Sequence, residues 1–183
     1  MSKKSKVFII TGFCATGKST FSNRLADELA IPCFNKDTLK ETLADGFEPE
    51  GEVVQKNGSR VTFMLLCHLL EKFLKVGQSC ILEGNFTATE MQIFQKMLGN
   101  YQTETQTFIF KGDFDILFQR YNERAASRHW VHKSAGDTVE VFKKVQTSVG
   151  IGEVGIGKIV DVETSSFEAV DFECLVNIAR DFL

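Results

Sequence analysis

Residues 12–20 constrain this chain more than any other stretch. They read Gly12-Phe13-Cys14-Ala15-Thr16-Gly17-Lys18-Ser19-Thr20, the G-x-x-x-x-G-K-S-T pattern of a phosphate-binding loop. The apolar run Val7-Phe8-Ile9-Ile10 before it reads as a buried strand, and Phe21, Leu25 and Leu29 after it recur at helical spacing. A strand, this loop and a helix N-terminus together cradle an anion. Backbone N–H groups converge, the two glycines allow the turns, and the helix dipole adds positive charge. Lys18 can reach the β- and γ-phosphates of ATP, and the Ser19 hydroxyl can ligate Mg2+. Every residue from Gly12 to Thr20 is therefore expected at the nucleotide.

The rest of the chain alternates strand-like and helix-like segments. Strands are expected over 31–34, 79–83, 105–110 and 158–162. Helices are expected over 36–44, 59–76, 89–98, 113–126, 137–149 and 166–182. The polar stretch 45–58, with Gly46, Pro49, Gly51 and Gly58, reads as a loop. This alternation predicts an α/β chain, a three-layer α/β/α P-loop NTPase fold with a five-stranded parallel sheet. The ligand then lies at the C-terminal ends of the strands. A length of 183 residues suits one domain spanning 1–183.

A net charge of −3 argues against a broad nucleic-acid footprint, while a local basic site stays compatible with it. No apolar run approaches a membrane span, and the basic start is followed by too short an apolar run for a signal peptide. Four of the five cysteines (Cys33, Cys67, Cys80 and Cys174) fall in apolar segments and read as reduced core residues of a cytoplasmic protein. Cys14, inside the loop, is open to a redox reading as well as a neutral one. Nothing in the sequence sets an oligomeric state.

Three further stretches carry candidate chemistry. In Asn35-Lys36-Asp37-Thr38-Leu39-Lys40, Asp37 at a helix start can take a proton from an attacking hydroxyl, and Lys40 one turn later can hold a negative group. The plain alternative is an N-cap aspartate and a solvated lysine. In Ile81-Leu82-Glu83-Gly84-Asn85-Phe86, Glu83 ends a strand and can order Mg2+ or contact substrate; Gly84 would let the chain approach a ligand, and Asn85 is a substrate-binding candidate. Arg120, Arg124 and Arg128 recur every four residues, so one continued helix would give a basic stripe. Such a stripe suits a lid over about 120–136 that neutralises a transferring phosphoryl group, or else a solvated face. His129 and His132 hint only faintly at a metal pair, and Trp130 reads as a lid or interface residue. Gly150-Ile151-Gly152-Glu153-Val154-Gly155 spells G-x-G-x-x-G, but it follows a helix and precedes a strand, the reverse of a dinucleotide-binding turn.

Taken in order, these elements resemble the P-loop kinases of the adenylate-kinase-like superfamily. The branch is that of predicted kinases (AAA-type ATPases) similar to polynucleotide kinase, chloramphenicol phosphotransferase and zeta toxin. The segment from Asn35 to Lys40 matches the N-R-D-x-x-R run of polynucleotide kinases. That resemblance implies Asp37 as the base at the acceptor hydroxyl, and Lys40 departs from the arginine of the run. Arg120 and Arg124 match the lid arginines, implying an adenine contact for the first and a phosphate contact for the second. Arg128-His129-Trp130-Val131-His132 is similar to an R-H-x-x-H lid run of that branch, and Val160 to Thr164 matches the last strand, beside the adenine edge.

The expectation is an ATP-dependent kinase that phosphorylates a hydroxyl of a small-molecule acceptor. Catalytic roles fall to Lys18, Asp37, Arg124 and Arg128, acceptor contacts to Asp37, Lys40 and Asn85, the Mg2+ to Ser19 and Glu83, and an ATP contact to Arg120. Two other readings stay open. A polynucleotide 5′-hydroxyl kinase would need a basic entry groove, against which stand Glu48, Glu50 and Glu52. A non-catalytic ATP-binding regulatory module would bind ATP without transfer.

Overall fold

The computed structural model describes residues 4–47, 52–132 and 134–183; for 52–56 it describes the backbone path alone. Glu48 and Glu50 thus lie outside the described residues. The elements run β1 (Ser5–Gly12), α1 (Lys18–Leu29), β2 (Cys33–Asn35), α2 (Lys36–Asp45), α3 (Glu52–Lys75), β3 (Cys80–Glu83), α4 (Ala88–Leu98), β4 (Thr103–Lys111), α5 (Phe114–Glu123), α6 (Val139–Thr147), β5 (Lys158–Glu163) and α7 (Phe172–Phe182).

The five strands form one sheet in the order β2-β3-β1-β4-β5, and every pairing is parallel. The expected α/β fold with a five-stranded parallel sheet is the observed one. Alternation along β1 sends its side chains to two cores. Val7 and Ile9 pack with Leu66 and Leu70 of α3 and Phe94 of α4, whereas Phe8 and Ile10 pack with Phe21 of α1 and Val176 of α7. A third cluster joins Ala15 of the loop to Leu117, Tyr121 and Phe142, so α5 and α6 pack beside the loop. From β1 the chain goes to β2 and β3 on one side, then passes from β3 across β1 to β4 and β5 on the other, which leaves the end of β1 at a topological switch point.

Some expectations are corrected. The stretch 45–58 is not loop throughout, because α3 begins at Glu52 and runs through Gly58. Tertiary burial of Phe63, Leu66 and Leu70 outweighs the roughly 1 kcal/mol that a helical glycine costs. The second strand starts at Cys33 rather than Ile31. The helical pattern expected over 113–126 stops at Glu123 and gives way to a 3-10 turn, Ala125–Ser127. Cys174 is exposed on α7, not a core residue, while Cys80 is buried and all five thiols are unpaired. The G-x-G-x-x-G run does connect α6 to β5, as its flanks require.

Candidate active site

The loop between β1 and α1 departs from ordinary backbone geometry at three residues: Gly12 (φ 126°), Ala15 (φ 62°) and Gly17 (φ 82°). At Gly12 a Cβ would stand 1.9 Å from the Phe110 carbonyl oxygen, so only glycine lets β4 approach. Next to it, the Phe13 N–H donates to that same carbonyl at 2.9 Å. Phe13 turns its ring onto Phe114, 4.8 Å away. The Cys14 N–H donates to the buried Gln146 side chain of α6, a partner 132 positions away with no local signal in the sequence.

Lys18 folds back over the loop. Its ammonium donates to the Phe13 carbonyl and to Thr16 Oγ1, the latter at 3.2 Å. Burial lowers its pKa, opposed first by Glu83. A buried ammonium in a concave run of N–H groups is a receptor for an anion, since a phosphate would restore its charge balance.

Glu83 ends β3 beside the start of α1. Its carboxylate accepts from the Ser19 hydroxyl at 3.0 Å and from the Asn35 side-chain amide. Burial pushes the carboxyl up to about 7, with Lys18 pulling the other way. The Ser19 hydroxyl and the Glu83 carboxylate are oxygen ligands, and together with phosphate oxygens they fit Mg2+, which takes one or two carboxylates plus substrate oxygens, whereas Asn35 presents its NH2 here and gives its oxygen to the Thr38 N–H. Among the described residues no group of three or more His, Cys, Asp or Glu side chains is placed to hold a metal alone. His129 and His132 each face a carboxylate of α2, Asp45 and Glu41 respectively.

The N-cap of α2 is Asn35, whose side chain accepts from the Thr38 N–H at 2.9 Å. Asp37 is thus not the cap, and it faces the cleft from the first turn. Lys40 is buried on α2 and stands outside the cleft lining, against the expected acceptor contact. Asn85 lines the cleft, and its amide donates to Cys14 Sγ at 2.8 Å. Burial raises the Cys14 thiol, which disfavours the thiolate that redox chemistry needs. Gly84 makes room for the protein itself: a Cβ there would stand 2.9 Å from Lys36 Cβ.

The arginines do not form one stripe, because α5 ends before Arg124. Arg120 points to the turn after β5, where it donates to the Thr164 and Ser165 carbonyls at 2.6 and 2.9 Å and stacks 3.8 Å over the Phe167 ring. Arg124 and Arg128 instead line the cleft, and Arg128 is braced on Tyr121, 4.4 Å over its ring. The result is one cleft of about 340 Å³ lined by Lys18, Ser19 and Glu83, by Asp37 of α2, and by Arg124 and Arg128. Sequence reasoning named all of these. It missed Tyr121, Glu41 and Asn23 in the lining, which carry no motif.

Comparison with known proteins bears on family and fold. The model of the AAA_33 family, an AAA domain, matches residues 7–145. No curated protein matches the chain. A crystal structure described as a "putative kinase" from Chloroflexus aurantiacus is similar at 26% identity and a TM-score of 0.86, covering 99% of this chain and 100% of that one. Shikimate kinase from Bacteroides thetaiotaomicron shares the fold at 15% identity and a TM-score of 0.56, with 97% of each chain covered. So does the Mycobacterium tuberculosis APS kinase, solved with AMPPNP and APS, at 9% identity and a TM-score of 0.63, covering 97% of this chain and 96% of that one.

Proposed function

From the premise that this chain belongs to the AAA domain family and has a P-loop kinase-like fold, we propose that it is an ATP-dependent kinase transferring the γ-phosphoryl group to a hydroxyl of a small-molecule acceptor. One observation carries the reading: Asp37 and the pair Arg124 and Arg128 open onto the same cleft as Lys18. A nucleotide-binding module needs the loop alone. A phosphoryl-transfer site also needs a group for the acceptor proton and positive charge across the cleft.

In this reading Lys18 exchanges the Phe13 carbonyl for phosphate oxygens. Ser19 and Glu83 would hold Mg2+, which would supply neutralisation of phosphate charge. Asp37 accepts the acceptor proton as the acceptor oxygen bonds to the γ-phosphorus and the bond to the ADP oxygen breaks. Arg124 and Arg128 offset the charge that develops on the transferring oxygens. Residues 120–136 serve as the lid of a single kinase domain, and Arg120 of α5, bonded to the turn after β5, makes the adenine contact. The acceptor wall bears Asp37 and Glu41, which suits a hydroxyl-rich or amine-bearing small molecule and repels a polyanionic strand end. No helix among the described residues is long and apolar enough to cross a membrane, and five unpaired thiols suit the reducing cytoplasm.

The test is ATP consumption against a panel of sugars, nucleosides, aminoglycosides and oligonucleotides. A hydroxylated small molecule should stimulate turnover, and Lys18→Ala should abolish it. Stimulation by oligonucleotides alone would favour the polynucleotide reading, and tight ATP binding with no transfer would favour the regulatory module.

A further inference from the structure

Asp37, Glu41 and Asp45 recur every four residues on α2, so the three carboxylates share one face of that helix. Two of them are engaged by the segment that follows Arg128. His132 Nε2 lies 2.6 Å from Glu41 Oε1, and His129 Nε2 lies 2.9 Å from Asp45 Oδ1. Between the two histidines Val131 is buried, and it packs on Ala44 of the same helix. An apolar peg flanked by two polar contacts is a docking joint with defined register.

The His129 contact is set by its ring tautomer. His129 Nδ1 accepts from the Val131 N–H at 3.2 Å, which leaves Nε2 to carry the ring proton and donate to Asp45. The third carboxylate of the face, Asp37, sits one turn before Glu41 and opens onto the cleft. The same short segment that docks on α2 thus carries Arg128, while the helix it docks on carries Asp37.

We propose that His129 and His132 are positioning residues, which clamp the arginine-bearing segment to α2 and set Asp37 against Arg124 and Arg128 for transfer. The proposal rests on the kinase reading for its purpose, but the clamp itself can be tested without any acceptor. Trp130, the only tryptophan, stands between the two histidines in the chain, 37% exposed and with its ring 5.4 Å from that of His129, so release of the segment would uncover the rest of the indole and its fluorescence reports the joint.

The experiment uses acrylamide quenching of Trp130 in the full chain, with thermal melting as the check on folding. His132→Ala and Glu41→Ala should each raise the quenching constant about twofold, as a locally released segment exposes its side chains. The double variant should rise no further than either single, because both remove one contact. His132→Gln, whose amide can still donate, should recover most of the wild-type value. Unchanged quenching in folded single variants, or two effects that simply add, would overturn the clamp. In kinetics with whichever panel acceptor supports turnover, His132→Ala should lower kcat about tenfold while KM for ATP stays within about twofold. A loss confined to ATP affinity would overturn the positioning role. A panel with no active acceptor would count against the kinase reading and leave the quenching result to decide the clamp.

Discussion

The Ser19 hydroxyl donates to the Glu83 carboxylate across 3.0 Å, tying the first turn of α1 to the end of β3 at the point where a phosphate-bound cation would sit. That bond, the Asn35 amide and Lys18 are what a nearly fully buried carboxylate has in place of water.

This environment makes stability depend on pH in a definite direction. Burial raises Glu83 from 4.5 to about 7, so the folded chain holds this proton more tightly than the unfolded one. The contribution is favourable below the unfolded value and is lost as pH climbs through about 7, a change on the order of 3 kcal/mol. Urea unfolding of the ligand-free protein at pH 5 and pH 8 should show the difference between wild type and Glu83→Gln moving in favour of the variant at the higher pH. A difference that is constant across that range would contradict the assignment.

Gln146 holds the loop from behind. Gln146→Ala leaves the Cys14 N–H without its side-chain acceptor, at a cost of about 1–3 kcal/mol. Calorimetric titration with ATP should show affinity falling about tenfold, because the loop N–H groups are no longer held in register. Unchanged affinity would mean that the loop keeps its shape without α6.

Gln106 is a second buried amide with the opposite prospect. It lies in the middle of β4, fully buried, and neither its oxygen nor its nitrogen has a partner among the described residues. Gln106→Leu removes two unsatisfied groups at similar volume and should stabilise the fold by about 1 kcal/mol. Thermal or urea unfolding reads this directly, and a loss of stability would show that the amide is satisfied in solution.

The parts legible in the sequence were those whose chemistry is local. Gly12 to Thr20 could be read because its glycines, lysine and hydroxyl lie at fixed spacing between a strand and a helix. The parallel sheet followed from strands alternating with helices. The arginine stripe failed because a period of four was carried past Glu123, where the helix ends and only Arg124 and Arg128 go on to the cleft. Glycine and proline in 45–58 hid the first turns of α3, whose stability comes from packing further along the helix. Gln146 behind Cys14, and Glu41 beneath His132, join residues far apart in the chain, so no spacing announces them.

Asp37→Asn separates the proposed donor and acceptor halves of the cleft. The substitution keeps size and removes the proton acceptor on α2, leaving the loop around Lys18 untouched. ATP affinity should stay within about twofold of wild type, while transfer to the acceptor identified by the panel falls by about 10²–10⁴. Transfer at the wild-type rate by a folded, ATP-binding Asp37→Asn protein would contradict the account.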